Sequence, residues 1–228
     1  MRNILENKFW WAARSFAAVV FFSVSTLSAN VFITEIADPN NDAAARFVEL
    51  HNSGSADIDL AAEGYKIQRW TNGNADPTAS SIKDLTGTIS AGGFYILVPG
   101  DGSAFQAAYG FAADQVIGNG GAADSNGDDQ IAITNASGDI VDIFGVPGED
   151  GSGTAHEFED GRAERAAGVT SGSATWVAEE WNIDNDGGAG DGAINAPDGY
   201  DPGAWIGATT QPTGTDVTFT VTDETESY

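Results

Sequence analysis

The sequence predicts an all-β fold built as an antiparallel β-sandwich, followed by an irregular C-terminal extension rich in glycine and aspartate. Short segments rich in β-branched and aromatic residues recur about every ten residues, the spacing expected of strands in a sandwich. Clusters of glycine, asparagine, aspartate and serine separate these segments and are typical of turns. Strands do not alternate with long helical patterns, so nothing in the sequence indicates a parallel sheet.

The first half of the predicted sandwich contains four strands, at residues 31–36, 46–50, 58–60 and 65–70. They are rich in β-branched or aromatic residues, and the later ones alternate apolar with polar side chains, as half-buried strands do. The turn-forming cluster 38–42 ends the first of them.

The second half contains further strands and one short helix. Residues 85–89 lead to the continuous apolar run 94–98, whose lack of alternation predicts a strand that is buried on both faces. Residues 103–110 favour a short helix. Segments 130–134 and 139–144 flank a glycine-containing turn and therefore predict a β-hairpin.

Several short motifs follow one another along residues 30–146. They are Ile33-Thr34-Glu35-Ile36, Phe47-Val48-Glu49-Leu50-His51-Asn52, Ile58-Asp59-Leu60, Gly64-Tyr65-Lys66-Ile67, Asp128-Asp129-Gln130-Ile131-Ala132-Ile133 and Gly138-Asp139-Ile140-Val141-Asp142. In this order they resemble the lamin-tail domain family, of the type found in secreted bacterial proteins. The resemblance implies an immunoglobulin-like sandwich that serves in interaction or surface attachment and has no active site. It implies no catalytic role for Glu35 or Glu49.

Residues 1–29 have the layout of a secretory signal peptide. Three basic residues, Arg2, Lys8 and Arg14, precede an apolar run at 16–22, and small residues follow it up to Ala29. A membrane anchor is the alternative, but the run is well short of the roughly 20 residues that a span needs. We therefore expect a secreted, extracellular or cell-surface protein whose mature chain has no membrane span.

Acidic residues dominate the composition. The chain has 34 Asp and Glu against 9 Lys and Arg, a formal charge of −25. Removal of residues 1–29 leaves 33 acids and 6 bases, or −27. Such a chain would repel nucleic-acid phosphates, so direct nucleic-acid binding is not expected. The absence of cysteine excludes disulfides, Cys-ligated zinc and iron–sulfur clusters.

The remainder of the chain divides into an acidic extension, residues 147–208, and a linker with a C-terminal strand, residues 209–228. In the extension we expect Trp176, Trp181 and Trp205 to pack on the edge of the sandwich, although an aromatic sugar-binding platform is the alternative. Two arginines of this extension, Arg162 and Arg165, are expected to pair with acids. Residues 215–222 alternate and predict a further strand.

A calcium site is predicted in the glycine- and aspartate-rich loop that begins at residue 184. Flexible loops with several oxygen ligands suit Ca²⁺, and the candidate ligands here are Asp184, Asp186 and Asp191. The spacing does not match an EF-hand. Weaker candidates are Asp38, Asn40 and Asp42, with similar spacing at residues 124–128. The alternative for each loop is a solvated turn whose side chains bond their own backbone.

Catalytic motifs are lacking. The two histidines, His51 and His156, lie outside any nucleophile-elbow, zinc-binding or phosphate-binding motif, and His51 is expected at the surface end of a strand. We therefore predict a secreted, non-catalytic protein that binds a protein or surface polymer outside the cell and is stabilised by Ca²⁺. The alternative is an accessory N-terminal module of a secreted hydrolase, a nuclease or phosphatase, whose catalytic domain lies outside this chain.

Overall fold

β-Strands form the framework of the computed structural model, which describes residues 30–39, 43–185 and 200–208. The strands of this part of the chain are β1 (Val31–Ala37), β2 (Phe47–Asn52), β3 (Ile58–Asp59), β4 (Lys66–Trp70), β5 (Lys83–Asp84), β6 (Thr88–Ile89), β7 (Phe94–Val98), β8 (Gln115–Val116), β9 (Gln130–Thr134), β10 (Ile140–Phe144), β11 (Arg162–Arg165) and β12 (Trp181–Asp184). One α-helix, α1 (Ser103–Tyr109), accompanies them, with 3₁₀ turns at Ala79–Ser81, Ala122–Asp124 and Ala178–Glu180. The predicted all-β class is confirmed.

The strands form two main sheets and one small one. The larger sheet has six strands in the order β12-β11-β1-β2-β7-β8, and the second has four in the order β10-β9-β4-β5. Strands β3 and β6 form a separate two-stranded pair. Every pairing is antiparallel except that of β7 with β8. The prediction of an antiparallel, immunoglobulin-like sandwich is therefore confirmed.

The apolar core lies between the two main sheets. Alternate residues of β1, β2 and β7 face isoleucines of β4 and β9 together with Phe144 of β10. Strand β7 is buried on both faces, as predicted, because Tyr95 and Leu97 face this core while Ile96 and Val98 pack under Phe105 of α1. The predicted short helix is confirmed as α1, which ends at Gly110 in the left-handed conformation.

A β-bulge in β1 sets which side chains reach the outer face of the six-stranded sheet. The pairing of β1 with β2 shifts between Ile33 and Glu35, which leaves Thr34 as an extra residue. Because of this extra residue, Ile33 and Ile36 both face the core, although residues three positions apart lie on opposite faces of a regular strand. The bulge therefore turns Glu35 to the outer face, directly opposite Glu49 of β2.

Strands β11 and β12 extend the sheet beyond β1 and come from the C-terminal extension. The sequence predicts neither of them. The predicted signal peptide at 1–29 and the predicted C-terminal strand at 215–222 lie outside the described residues. Within the described ranges, the model contains no helix of the length and hydropathy that a membrane span requires.

Candidate functional site

Three glutamates form a row across neighbouring strands on the outer face of the six-stranded sheet. Glu49 of β2 lies opposite Glu35 of β1, which in turn lies opposite Glu164 of β11. Their exposed fractions are only 0%, 1% and 7%. We call Glu35, Glu49 and Glu164 the glutamate row. Carboxyl groups on adjacent strands are close enough to repel one another when ionised.

The carboxyl groups of Glu49 and Glu35 have different partners. Both oxygens of Glu49 accept hydrogen bonds, one from the Thr34 hydroxyl at 2.6 Å and one from the Gly203 N–H at 2.6 Å. Glu35 Oε1 lies 3.4 Å from Arg162 Nη1. Its other oxygen, Oε2, is buried and accepts no hydrogen bond. Such an oxygen is satisfied when the carboxyl group carries a proton and donates.

Burial controls protonation in the row. It raises the pKa of Glu49 to about 8, against the opposing effect of the two hydrogen bonds. Burial also raises the pKa of Glu35 well above its ordinary value, and the neighbouring charge of Glu49 raises it further. The Arg162 guanidinium acts in the opposite direction. Burial therefore favours a protonated carboxyl group in the row.

Residues 200–208 cover the glutamate row, and we call them the strap. Trp205 fixes the strap through its indole N–H, which donates to the Arg165 carbonyl at 2.6 Å, and through edge-on contact with Phe32 at 5.5 Å. Tyr200 packs against the outer-face cluster that contains Phe47 and Ile96. The strap therefore seals the row from solvent through specific contacts on both sides of it.

His51 was expected at the surface, and this prediction is wrong. Its ring is only 5% exposed and lies between Phe94 and Trp205, at centroid distances of 4.8 and 5.4 Å. Burial lowers its pKa. The strap comes from 150 residues further along the chain and covers His51, which the local strand pattern could not reveal. His156 is also buried, within hydrogen-bond distance of the Gln130 and Thr154 side chains.

A cavity of about 330 Å³ lies beside the strap. It is lined by His51, Ser53, Ser55, Thr170, Trp205, Gly207 and small apolar residues. Trp205 is only 6% exposed and presents no open ring face, and Trp181 is equally buried. Trp176 packs against Phe144. These tryptophans therefore serve in packing, and the alternative of an exposed aromatic sugar platform is not supported.

An ion pair between Asp142 of β10 and Arg165 of β11 joins the two main sheets. Arg165 Nη2 lies 2.5 Å from both carboxylate oxygens, and the side chains are 0% and 1% exposed. Asp142 also accepts the N–H groups of Ile33 and Ser173. The guanidinium stacks on Trp181 at 4.1 Å. The expected pairing of Arg162 and Arg165 with acids is confirmed.

The remaining arginines are likewise held inside the fold. Arg46 pairs with Asp38 at 2.6 Å, and Arg69 pairs with Asp129 at 3.0 Å. The two lysines of the described ranges, Lys66 and Lys83, are partly exposed, and Lys66 pairs with Asp84. In the described ranges, twelve acids are exposed, whereas each Lys and Arg is buried or only partly exposed. These acids are Asp57, Asp59, Glu63, Asp76, Asp84, Asp101, Asp114, Asp139, Glu149, Asp150, Glu179 and Asp201.

The predicted calcium ligands fall largely outside the described residues. Asn40, Asp42, Asp186 and Asp191 lie there, while Asp184 ends β12 opposite Arg162. Asp38 is buried against the Arg46 guanidinium, so it does not lie in a solvated turn. Across 30–39, 43–185 and 200–208, no three His, Asp or Glu side chains are grouped so as to hold a metal ion.

The acids at 124–128 also differ from a solvated turn. Asp124 lies 3.4 Å from Arg46 and accepts the Gly120 N–H, and Asp128 accepts a hydrogen bond from Asn72. Their side chains therefore fasten this loop to neighbouring segments, instead of only bonding their own backbone.

Calcium binding by the 184–191 loop stays a prediction, with a direct test. If Asp184, Asp186 and Asp191 bind Ca²⁺, the midpoint of thermal unfolding will be higher in millimolar Ca²⁺ than in EDTA, since a ligand that binds only the folded state stabilises it. Calorimetry of the mature chain measures this shift. An Asp186→Asn/Asp191→Asn variant should lose it, and equal midpoints for the unaltered chain in Ca²⁺ and EDTA would contradict the prediction.

The two packed antiparallel sheets define an immunoglobulin-like domain. Comparison with protein families gives a match to the Lamin Tail Domain over residues 25–148, more than half of the chain. The chain therefore belongs to the lamin tail domain family, and the resemblance drawn over residues 30–146 is confirmed. The family is non-catalytic. A search of curated proteins finds no match to the chain.

Proposed function

We propose that the protein is a secreted, non-catalytic module that attaches to a protein or surface polymer outside the cell. The observation that carries this proposal is the excess of acidic over basic residues on the surface of a lamin tail domain. All six basic residues that follow residue 29 lie in the described ranges, and the four arginines pair inside the fold. The twelve exposed acids therefore far outnumber the partly exposed bases, which are Lys66, Lys83 and Arg162.

The surface charge indicates which chemical groups a partner presents to this protein. A surface that displays acids and few bases attracts cationic groups and repels phosphates and anionic lipids. Such attraction is screened over about 10 Å at 0.1 M salt and over about 3 Å at 1 M salt. We therefore infer that the partner presents a positively charged surface and that its binding weakens as salt rises. Export is supported by the signal-peptide layout of residues 1–29.

The binding test uses the immobilised mature chain and cell-surface extract, with and without calcium. We expect retained material at 0.1 M NaCl and at least a fivefold loss at 1 M. A variant with four exposed acids neutralised, Glu63→Gln, Asp76→Asn, Asp139→Asn and Glu179→Gln, should retain several-fold less. The matched control exchanges the same acids for one another, with Glu63→Asp, Asp76→Glu, Asp139→Glu and Glu179→Asp, and should retain the original amount.

Two results would contradict the proposal. Retention that is the same at both salt concentrations and in both variants would show that the acidic surface does not recruit the partner. Turnover of phosphodiester or phosphomonoester substrates by the purified chain, at a rate that follows the protein through purification, would show that it is an enzyme.

A further inference from the structure

We propose that residues 200–208 form a pH-operated strap, which lies closed on the six-stranded sheet while the glutamate row holds a proton and is released as that proton is lost. This goes beyond the proposed function, because it concerns a conformational change within the chain and requires no partner. Three features support this proposal: the buried glutamates under the strap, an oxygen of Glu35 that no donor reaches, and the carboxylate of Asp201, which the strap places close to the row.

The charges under the strap do not balance when every acid is ionised. The three glutamates of the row and Asp201 of the strap face a single guanidinium, that of Arg162. Full ionisation of the three buried glutamates would leave a net charge of −2 beside Arg162, and exposed Asp201 would add a further negative charge at the edge of the row. Burial without compensating charge is costly, so the closed strap favours a protonated row.

The location of the proton is indicated by Glu35 Oε2. This oxygen belongs to a side chain that is 1% exposed, and no donor reaches it. An ionised carboxylate only accepts hydrogen bonds, whereas a protonated one donates. A single proton on Glu35 or Glu49 removes one negative charge from the row, and a proton on Glu35 turns that carboxyl group into a hydrogen-bond donor.

The strap is also bonded to the row, and these bonds favour the ionised carboxylates, so they oppose the release that burial and charge repulsion promote. The Gly203 N–H donates to Glu49 Oε2, and the backbone of Ile206 donates to the Glu164 carboxyl group. Asp201 lies 3.4 Å from Arg162. When the proton is lost, the row gains negative charge close to Asp201. The row then repels Asp201, and this repulsion favours movement of the strap away from the sheet.

Every titratable or charged group that faces the row or the strap from the packed elements belongs to this balance. They are Glu35 on β1, Glu49 and His51 on β2, Arg162 and Glu164 on β11, Tyr200 and Asp201 on the strap, Asp38 after β1 and Tyr109 on α1. Burial lowers the pKa of His51, which favours its neutral form under the closed strap. Burial raises the pKa of Tyr200 further above its already high ordinary value. Tyr200 therefore stays neutral through the range in which the row titrates.

The direction of the effect follows from linkage. With the strap closed, the pKa of Glu49 is about 8, compared with an ordinary value of 4.5, which solvent contact would restore once the strap opens. Between these two values the closed form holds a proton that the open form lacks. Opening therefore releases a proton, and for one linked proton the opening constant rises about tenfold per pH unit. The closed strap is most favoured below about pH 4.5 and is progressively released up to about pH 8.

Hydrogen–deuterium exchange on the full mature chain tests the proposal. Exchange is measured by mass spectrometry from pH 5.5 to 8.5 and corrected for the intrinsic pH dependence of amide exchange. The protection factor of a peptide spanning 200–208 should fall about tenfold per pH unit. The protection factor of a peptide within 130–144 of the core hairpin should fall much less.

A Glu49→Gln variant, whose amide imitates the protonated acid, should flatten the pH dependence of strap protection. Glu35→Gln should act in the same direction, and it serves if the first variant does not fold. Glu63→Gln, at an exposed position, is the matched control and should leave the pH dependence unchanged.

Three results would overturn the proposal. They are strap protection that does not change with pH in the unaltered chain, an unchanged slope in both Glu35→Gln and Glu49→Gln, and equal loss of protection in strap and core. The last would indicate global unfolding. Since no binding partner takes part, these results are independent of those that test the proposed function.

Discussion

Replacement of Asp142 by alanine is expected to lower the free energy of unfolding by about 3–5 kcal/mol, the usual cost of removing one partner from a buried ion pair. The substitution leaves the Arg165 guanidinium, which is 1% exposed, with only the partly exposed Glu180 as a charged partner. It also removes the acceptor for the N–H groups of Ile33 and Ser173. Urea unfolding followed by circular dichroism measures the change.

Two further variants distinguish the contribution of the Asp142–Arg165 ion pair to stability from that of the surrounding residues. An Asp142→Leu/Arg165→Met double variant should recover much of the loss, because well-packed apolar residues can replace a buried ion pair at little net cost. Asp139→Ala, at an exposed position in the same hairpin, should change stability by less than about 0.5 kcal/mol. A loss below about 1 kcal/mol for Asp142→Ala would show that the pair does not join the sheets as described.

Replacement of Phe144 by alanine is expected to cost about 3–5 kcal/mol, as for other buried aromatic residues. The Phe144 ring meets Phe158, Trp176 and Trp181 in edge-on contacts with centroids 4.8 to 5.4 Å apart. It therefore connects the hairpin of the four-stranded sheet to the C-terminal extension. Calorimetry gives the stability change, and tryptophan emission should shift to longer wavelength as the two indoles gain water.

The shape of the unfolding transition is a second measurement on the same variant. Because β11 lies within the six-stranded sheet, beside β1, the sandwich and the extension should unfold together in one transition. Two separate transitions, with Phe144→Ala affecting only one, would contradict this. Phe111→Ala is the control, since this ring is 40% exposed and its loss should cost less than about 1 kcal/mol.

The contacts of Asp142 and Phe144 with the C-terminal extension indicate where the folded domain ends. The family match stops at residue 148, yet Asp142 within it pairs with Arg165 beyond it. Strands β11 and β12 complete the larger sheet, and the strap covers its outer face. We therefore propose that the folded domain of this protein extends beyond the family match to include the extension, and we expect a chain cut at residue 148 to expose Phe144 and leave Asp142 unpaired.

The strands that the sequence predicts correctly are those whose own residues carry a sufficient signal. Strands β1, β2, β4, β7, β9 and β10 are rich in β-branched and aromatic residues and are bounded by turn-forming residues. Strand β11, in contrast, is Arg-Ala-Glu-Arg and offers one apolar side chain. It forms because β1 and β12 supply backbone hydrogen bonds on both sides and Asp142 neutralises Arg165. Strand β8 has only two residues, which are too few to show an alternating pattern.

The sequence by itself determined the all-β class, the main strands, the family and the excess of acid over base. Each of these depends on local alternation, turn chemistry or composition, which are properties of short segments. The tertiary structure alone decided that His51 is buried, that a bulge turns Glu35 toward Glu49, and that the arginines form their ion pairs inside the fold. Burial of a polar group depends on what the rest of the chain places over it, and here the strap, far along the chain, covers the row and His51.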